Sequence, residues 1–239
     1  MTDNKRTPLY PWHKTNSATF SPFHGWEMPL WYSSGAKKEH VAVITAAGMF
    51  DTSHMGAITV SGAGAFDLLQ LCFTKDLAQC LGRANAPLKP GRCVYGVFLN
   101  EDGTTIDDAI LYHLAPERYL LVVNAGMAPA VAEHLRKYAA NSAVEDITER
   151  MAKIDLQGPL SAKILRNAAS KEPPLLQDMV YFSFKGDFDD TNGFTGAPLA
   201  DARVLLSRTG YTGEFGFEIF LDPSDVVRVW KRLLEAGRE

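Results

Sequence analysis

The stretch VYGVFLNEDGTTIDDAILYHLAPERYLLVVN, residues 94–124, decides the fold of this chain. Its mostly apolar runs are residues 94–99, 105–113 and 119–124. Polar segments rich in turn-forming residues separate them, Asn100-Glu101-Asp102-Gly103 first and Ala115-Pro116-Glu117-Arg118 second. The stretch therefore predicts three antiparallel strands joined as a meander.

Helices and further strands flank this meander on both sides. Apolar periodicity predicts helices at residues 38–47, 62–73, 127–138 and 159–168, and strands at 56–60, 151–156, 180–184, 203–208 and 215–221. Asp222 is placed to cap a last helix, with Pro223 at its first position and Gly237 at its end. Because strands and helices do not alternate as regular βαβ units, the predicted class is α+β.

Composition excludes several classes of protein. The chain has 239 residues and is 46% apolar, which is typical of a soluble globular protein with one or two domains. A net charge of −4 without a basic stripe argues against nucleic-acid binding, and no apolar run is long enough to span a membrane. The N-terminus lacks the apolar core of a secretory signal. Three cysteines without metal or redox spacing indicate free thiols and a cytoplasmic protein.

The first candidate functional motif is the doublet Asp107-Asp108 within the second strand of the meander. Adjacent residues of a strand point to opposite faces, so the two carboxylates cannot converge as an acid/base pair. Asp108 lies between Ile106 and Ile110 on one face, where a carboxylate needs polar partners or a ligand. The alternative is that either aspartate caps the turn after Gly103.

The second candidate motif is TGYTGEFGFE, residues 209–218, between two predicted strands. Gly210 and Gly213 are interpreted as residues that supply a positive φ in a hairpin turn. Glu218 shares a strand face with Phe220, so it needs a partner if that face points inward. Exposure at a sheet edge is the reading that the local sequence favours.

A metal site is not predicted. His54 follows Asp51 closely, but no second histidine or cysteine lies nearby at ligand spacing. The glycine spacing of residues 210–213 also differs from phosphate-loop and dinucleotide motifs.

Several phrases in this order resemble the aminomethyltransferase family, the T-protein of the glycine cleavage system and its folate-dependent relatives. They are Thr7-Pro8-Leu9-Tyr10, His24-Gly25-Trp26-Glu27-Met28-Pro29, Gly48-Met49-Phe50-Asp51-Thr52-Ser53-His54-Met55, Leu156-Gln157-Gly158-Pro159, the aspartate doublet and the phrase around Tyr211. The similarity covers essentially residues 7–237. It implies two interleaved lobes of mainly antiparallel sheet with flanking helices, one made of residues 1–54 plus 149–239 and the other of 55–148.

The resemblance also implies a tetrahydrofolate site. Asp108 matches the essential carboxylate near the pterin and N10. The family's apolar contacts to the folate are matched here by Met55 and Ile110. Its pocket positions on the meander are matched by Tyr95, Tyr112 and Asn124. On the pterin side lie Tyr211 and Glu218, where a carboxylate can accept two N–H bonds from the amino-pyrimidine ring.

The reaction implied by the resemblance is one-carbon transfer from an aminomethyl-lipoyl carrier protein, the H-protein, to tetrahydrofolate with release of ammonia. Three alternatives stay open: another tetrahydrofolate-dependent demethylase or methyl-transfer member, a non-catalytic folate-binding protein, and an inactive fragment. Relatives continue beyond the position of Glu239 with a small C-terminal β-barrel that carries a folate-contacting arginine. The chain is therefore expected to be a truncated product or half of a split protein. Residues 78–92 are expected to form a longer loop than in typical members, and residues 185–202 are expected to be expanded.

Overall fold

A computed structural model describes residues 4–169, 175–196 and 198–238. The described residues divide into two compact units. Unit 1 contains residues 4–54, 150–181 and 188–238, and unit 2 contains residues 55–149 and 182–187. The short segment 182–187 belongs to unit 2.

Six α-helices and fifteen strands are present among the described residues. The helices are α1 (Tyr10–Thr15), α2 (Ala36–Thr45), α3 (Ala65–Cys72), α4 (Ala128–Arg136), α5 (Ser161–Ala168) and α6 (Val226–Ala236), with a 3-10 turn at Thr148–Arg150. The strands are β1 (Thr19–Phe23), β2 (Trp26–Trp31), β3 (Gly48–Asp51), β4 (Gly56–Ser61), β5 (Arg92–Leu99), β6 (Thr105–Ala115), β7 (Arg118–Val123), β8 (Ala143–Asp146), β9 (Ala152–Gln157), β10 (Phe184–Lys185), β11 (Asp187–Asp189), β12 (Gly193–Thr195), β13 (Pro198–Leu199), β14 (Ala202–Ser207) and β15 (Gly216–Leu221).

Unit 2 is built on a five-stranded antiparallel sheet in the order β5-β6-β7-β4-β8. The predicted meander forms its β5-β6-β7 part. Helices α3 and α4 cover one face, where Leu69, Leu111, Leu121 and Leu135 belong to one buried apolar cluster. Alternation along β6 places Ala109 and Leu111 on this covered face, so Asp108 and Ile110 point to the other face.

Unit 1 contains antiparallel strands in the order β14-β15-β9-β3, with β13 beside β14. Its apolar core lies on one sheet face, where Ile154, Ile219, Leu206 and Trp230 pack together. Residues of β9 alternate strictly between apolar and polar side chains, yet all six are buried. The opposite sheet face is therefore also withdrawn from water, and it carries charges.

The predicted α+β class is confirmed. The N-terminal segment forms a β1-β2 hairpin that contains Trp26 and Pro29, and helices α1 and α2 flank it in the sequence. Asp222 does not cap the last helix as predicted. It accepts hydrogen bonds from Ser224 N and Oγ at 2.8 and 2.6 Å, and α6 begins after Asp225. None of the described helices has the length and apolarity to cross a membrane.

Candidate functional site

The charged face of the unit 1 sheet places two carboxylates directly opposite each other. Asp155 on β9 is the cross-strand partner of Glu218 on β15. Like charges in this arrangement repel, and both side chains are buried. Glu218 is only 4% exposed, so the expectation of an exposed sheet-edge glutamate was wrong: β15 lies between β14 and β9 and is not an edge.

Lys153 supplies the counter-charge from the same strand. Its Nζ lies 2.5 Å from Asp155 Oδ1 and 2.6 Å from Glu218 Oε1. A third contact, of 3.2 Å, reaches Thr52 Oγ1. An ammonium group has three N–H donors, and these three acceptors match that number. We call Lys153, Asp155 and Glu218 the charge cluster.

Hydroxyl groups hold the carboxylates of the charge cluster on their other sides. Thr209 Oγ1 donates to Glu218 Oε2, and Ser207 Oγ lies 2.7 Å from Thr209 Oγ1. Thr52 Oγ1 donates to Asp155 Oδ1 at 2.7 Å. Glu218 is thus held by an ammonium group on one oxygen and a hydroxyl on the other.

The pKa values of Lys153 and Asp155 in the charge cluster are shifted from their usual values. Burial acts to lower the pKa of Lys153, but the nearby Asp155 and Glu218 carboxylates raise it well above its usual range. Burial raises the pKa of Asp155 to about 7, opposed by Lys153 and reinforced by Glu218. Asp155 Oδ2 is buried and has no hydrogen-bond partner among the described residues. Burial thus disfavours the ionised form of Asp155, and the ammonium group of Lys153 opposes that effect.

Gln157 shapes the glycine-rich phrase. Its Nε2 donates to the backbone oxygens of Thr209 and Phe217, at 3.3 and 3.2 Å. A Cβ on Gly210 or Gly216 would lie 2.3 or 2.0 Å from Gln157 Oε1, so a larger residue at either position would force the buried Gln157 side chain to shift. Only Gly213 has the expected positive φ, of 81°. The reading of Gly210 as a positive-φ residue was wrong, because a side-chain contact and not the turn requires it.

Tyr211 projects from this phrase. It is 64% exposed, and its ring meets Phe50 edge-on with centroids 5.8 Å apart. Both predicted unit 1 positions, Tyr211 and Glu218, therefore flank the Gln157-supported turn.

In unit 2, Asn124 binds both members of the aspartate doublet, so their carboxylates converge on one amide, and the expectation that strand alternation keeps them apart was wrong. Its backbone N–H donates to Asp107 Oδ2 at 2.8 Å, and its Nδ2 lies 2.8 Å from Asp107 Oδ1 and 2.6 Å from Asp108 Oδ1. The alternative in which the doublet caps the preceding turn is wrong. Asp102 does so, accepting from Thr104 N and Oγ1 at 3.0 and 2.7 Å.

Tyr95 is a second partner of Asp108. A hydrogen bond to the Asp108 carboxylate raises the pKa of the Tyr95 hydroxyl, and the Asp108 charge adds to this effect. Tyr95 is 52% exposed while Asp108 is half-buried. Asp108 is thus held by neutral donors on a face that a ligand can approach.

The sheet register places the other predicted positions of unit 2. Ile110 pairs with Tyr95 and lies on the same face as Asp108. Gly56 pairs with Val123, so Met55 lies at the same end of the sheet as Asn124. Tyr112 differs from these, since it is fully buried with its ring 5.3 Å from that of Phe184.

One polar network in unit 1 was missed from the sequence. Asp51 accepts from Thr7 Oγ1 at 2.6 Å, and His13 Nε2 lies 3.0 Å from the same oxygen. His13 Nδ1 is 2.6 Å from the Tyr32 hydroxyl. Burial would raise the pKa of Asp51, but the bonds from His13 and Thr7 lower it below its usual value. Polar residues this far apart in the chain give no local signal.

His54 lies within range of the charge of Asp51. Burial lowers its pKa to about 4, with Asp51 opposing and Lys153 and His24 adding. Within the described ranges, no group of three or more histidine, cysteine, aspartate or glutamate residues is arranged to hold a metal ion.

These features define a mainly antiparallel α+β protein with structured carboxylate sites in both units. The chain matches the sequence profile of the GCVT N-terminal domain over residues 9–239, and it belongs to that family. This confirms the family resemblance read from the motifs.

Three known proteins illustrate the similarity. The aminomethyltransferase of Oceanobacillus iheyensis is 36% identical over 241 residues, which cover 99% of this chain and 60% of that protein. The aminomethyltransferase of Symbiobacterium thermophilum is 41% identical over 240 residues, covering 98% and 59%. The crystal structure of glycine cleavage system aminomethyltransferase T from Bartonella henselae matches with a TM-score of 0.79 and 34% identity, over 96% of this chain and 57% of that one. The chain thus spans about 60% of the length of these relatives.

Proposed function

We propose that this chain is the folate-binding portion of a tetrahydrofolate-dependent aminomethyltransferase of glycine cleavage. The reaction moves a one-carbon unit from an aminomethyl-lipoyl carrier protein to tetrahydrofolate and releases ammonia. The observation that carries the proposal is Asp108, presented on the open face of the meander by Asn124 and Tyr95 in a member of this family.

Asp108 and Glu218 each have, taken separately, chemistry that fits a folate. Tetrahydrofolate, when bound, supplies the nucleophilic nitrogen that accepts the one-carbon unit. Asp108 has the charge and the approachable face to orient the folate nitrogens and to stabilise positive charge on them. Glu218 offers a fixed carboxylate, suited to the N–H donors of an amino-pyrimidine ring. The contribution of the protein is thus to position reactants and to supply fixed charge.

A lipoylated carrier protein is the proposed macromolecular partner, and the cytosol is the proposed compartment. Because the carrier protein and tetrahydrofolate are both large, the main task of this protein is to position them. We assign no role to metal chemistry, since the reaction as written moves a carbon unit between sulfur and nitrogen without a change that requires a metal.

The test is calorimetric titration of tetrahydrofolate into the 239-residue chain. Asp108→Asn preserves shape and removes the charge, so we expect it to weaken binding about tenfold or more, the scale of one charge-assisted hydrogen bond. Asp67→Asn, at an exposed aspartate of α3, is the matched control and should bind as the wild type does.

Equal affinity in Asp108→Asn and wild type would contradict the proposed folate contact. Donor identity needs a second assay, with aminomethyl-loaded carrier protein and an N-methylated amino acid compared as donors. Transfer from the carrier alone supports glycine cleavage, whereas transfer from the methylated amine alone would assign the demethylase alternative. Tight folate binding without transfer from either donor would assign a binding role.

A further inference from the structure

The charge cluster of unit 1 has more negative than positive charge. When every member is ionised, the single ammonium group of Lys153 faces the carboxylates of Asp155 and Glu218, which leaves one net negative charge. Burial of two carboxylates around one ammonium group disfavours the ionised form of one of them, so such a site can take up a proton. The perturbed ionisation of Asp155 agrees with this reasoning.

The geometry links the two carboxylates through Lys153. The contacts of Nζ to Asp155 and Glu218 differ by only 0.1 Å, from 2.5 to 2.6 Å, so the ammonium group is shared between them. Any change in the charge of Asp155 therefore changes how strongly Lys153 holds Glu218. The other oxygen of Asp155, Oδ2, is buried without a partner among the residues described and is the natural position for a proton.

We propose that Lys153 and Asp155 are positioning residues for Glu218, and that a proton on Asp155 sets the affinity of Glu218 for the amino-pyrimidine ring of a folate. This inference rests on the proposed function, because it assumes that Glu218 contacts the folate.

The direction of the effect follows from charge. With Asp155 protonated, Lys153 neutralises Glu218 and weakens it as an acceptor. With Asp155 ionised, Lys153 is divided between two anions, and Glu218 attracts N–H donors more strongly. Other groups that face Asp155 are Thr52, which donates to it, and Tyr211, on which the charges of the cluster act. His54 is coupled to the cluster through the charge of Lys153.

The experiment is calorimetric titration of tetrahydrofolate into the 239-residue chain from about pH 6 to about pH 8.5, the range that brackets the perturbed carboxyl. For the wild type, affinity should rise about tenfold with pH, the scale of one charge interaction at a partly buried site. Asp155→Asn should bind with the low-pH affinity throughout.

Two further variants sharpen the result. Thr52→Val removes a hydrogen bond to the ionised form of Asp155, so the midpoint of the affinity change should move to higher pH. This shift tests the inference even if Asp155→Asn fails to fold. Asp201→Asn, at an exposed aspartate of unit 1, is the control and should leave the profile unchanged.

The outcomes separate the inference from the proposed function. Saturable wild-type binding with the same pH profile in Asp155→Asn, or an unmoved midpoint in Thr52→Val, would overturn the inference and leave the folate assignment in place. Absence of wild-type binding at every pH would overturn the folate assignment itself, and the inference with it.

Discussion

The two carboxylate sites of this protein are held in opposite ways. Glu218 in unit 1 is buried, and an ammonium group and a hydroxyl fix it. Asp108 in unit 2 is half-buried and receives bonds from an amide and a phenol. Because the partners in the charge cluster are charged and buried, the stability of unit 1 depends on their pairing. Asp108 has neutral partners and lies on an approachable face, so it contributes little to the stability of unit 2 and is available to a ligand.

The contrast between the two sites is tested most directly by removing the ammonium group of Lys153. Lys153→Met leaves two buried carboxylates without a counter-charge, so the free energy of unfolding should fall by about 3–5 kcal/mol. Urea denaturation followed by circular dichroism measures this. Lys163→Met, at an exposed lysine of α5, should change stability by less than about 0.5 kcal/mol. A loss below about 1 kcal/mol in Lys153→Met would refute the structural role of the cluster.

The support of the glycine-rich phrase is the next test. Gly216→Ala places a Cβ 2.0 Å from Gln157 Oε1, and the buried glutamine cannot move without losing its backbone bonds. We expect a loss of about 2–3 kcal/mol in unfolding free energy. Gly213→Asn is the control, because that site has open space and a positive φ that asparagine tolerates. Similar losses in both variants would show that Gln157 does not select the glycines.

Protonation of His54 gives a pH test within unit 1. Its pKa falls from 6.5 to about 4 on folding. The contribution of neutral His54 to stability is therefore fully present above about pH 6.5 and is lost as the pH falls toward 4. His54→Gln should remove about 2 kcal/mol of this pH dependence. The measurement is the difference between wild-type and variant unfolding free energies at about pH 7 and about pH 4.5. His40→Gln, at an exposed histidine, should keep the wild-type slope.

The smallest effect on stability is expected at Asp108. Asp108→Asn removes a charge that only neutral donors hold, at a half-exposed position, so unfolding free energy should fall by less than about 1 kcal/mol. The same urea assay serves here. A loss as large as that of Lys153→Met would erase the contrast between the two sites.

Local patterns explain what the sequence predicted well. The alternation of β6 and the turn at Asn100 to Gly103 are signals within a few residues, and they predicted the meander and the face of Asp108. Contacts between distant residues explain what it missed. Gln157 meets Thr209 across 52 positions, and Lys153 meets Thr52 across 101, so neither the need for Gly210 nor the burial of Glu218 has a local signature. Similarly, no local pattern pairs His13 with Asp51.

The pairing of β3 with β9 in unit 1 has a consequence for folding kinetics. Asp51 pairs with Ile154, and the whole continuous part of unit 2 lies between them in the sequence. Closing so long a loop from an unfolded chain carries an entropic cost. Within unit 2, however, Ile58 pairs with Asp146, which brings the ends of that loop together. We therefore expect pulse-labelled hydrogen exchange to protect β4 and β8 before β9 and β15, so that unit 2 nucleates the chain and unit 1 closes last.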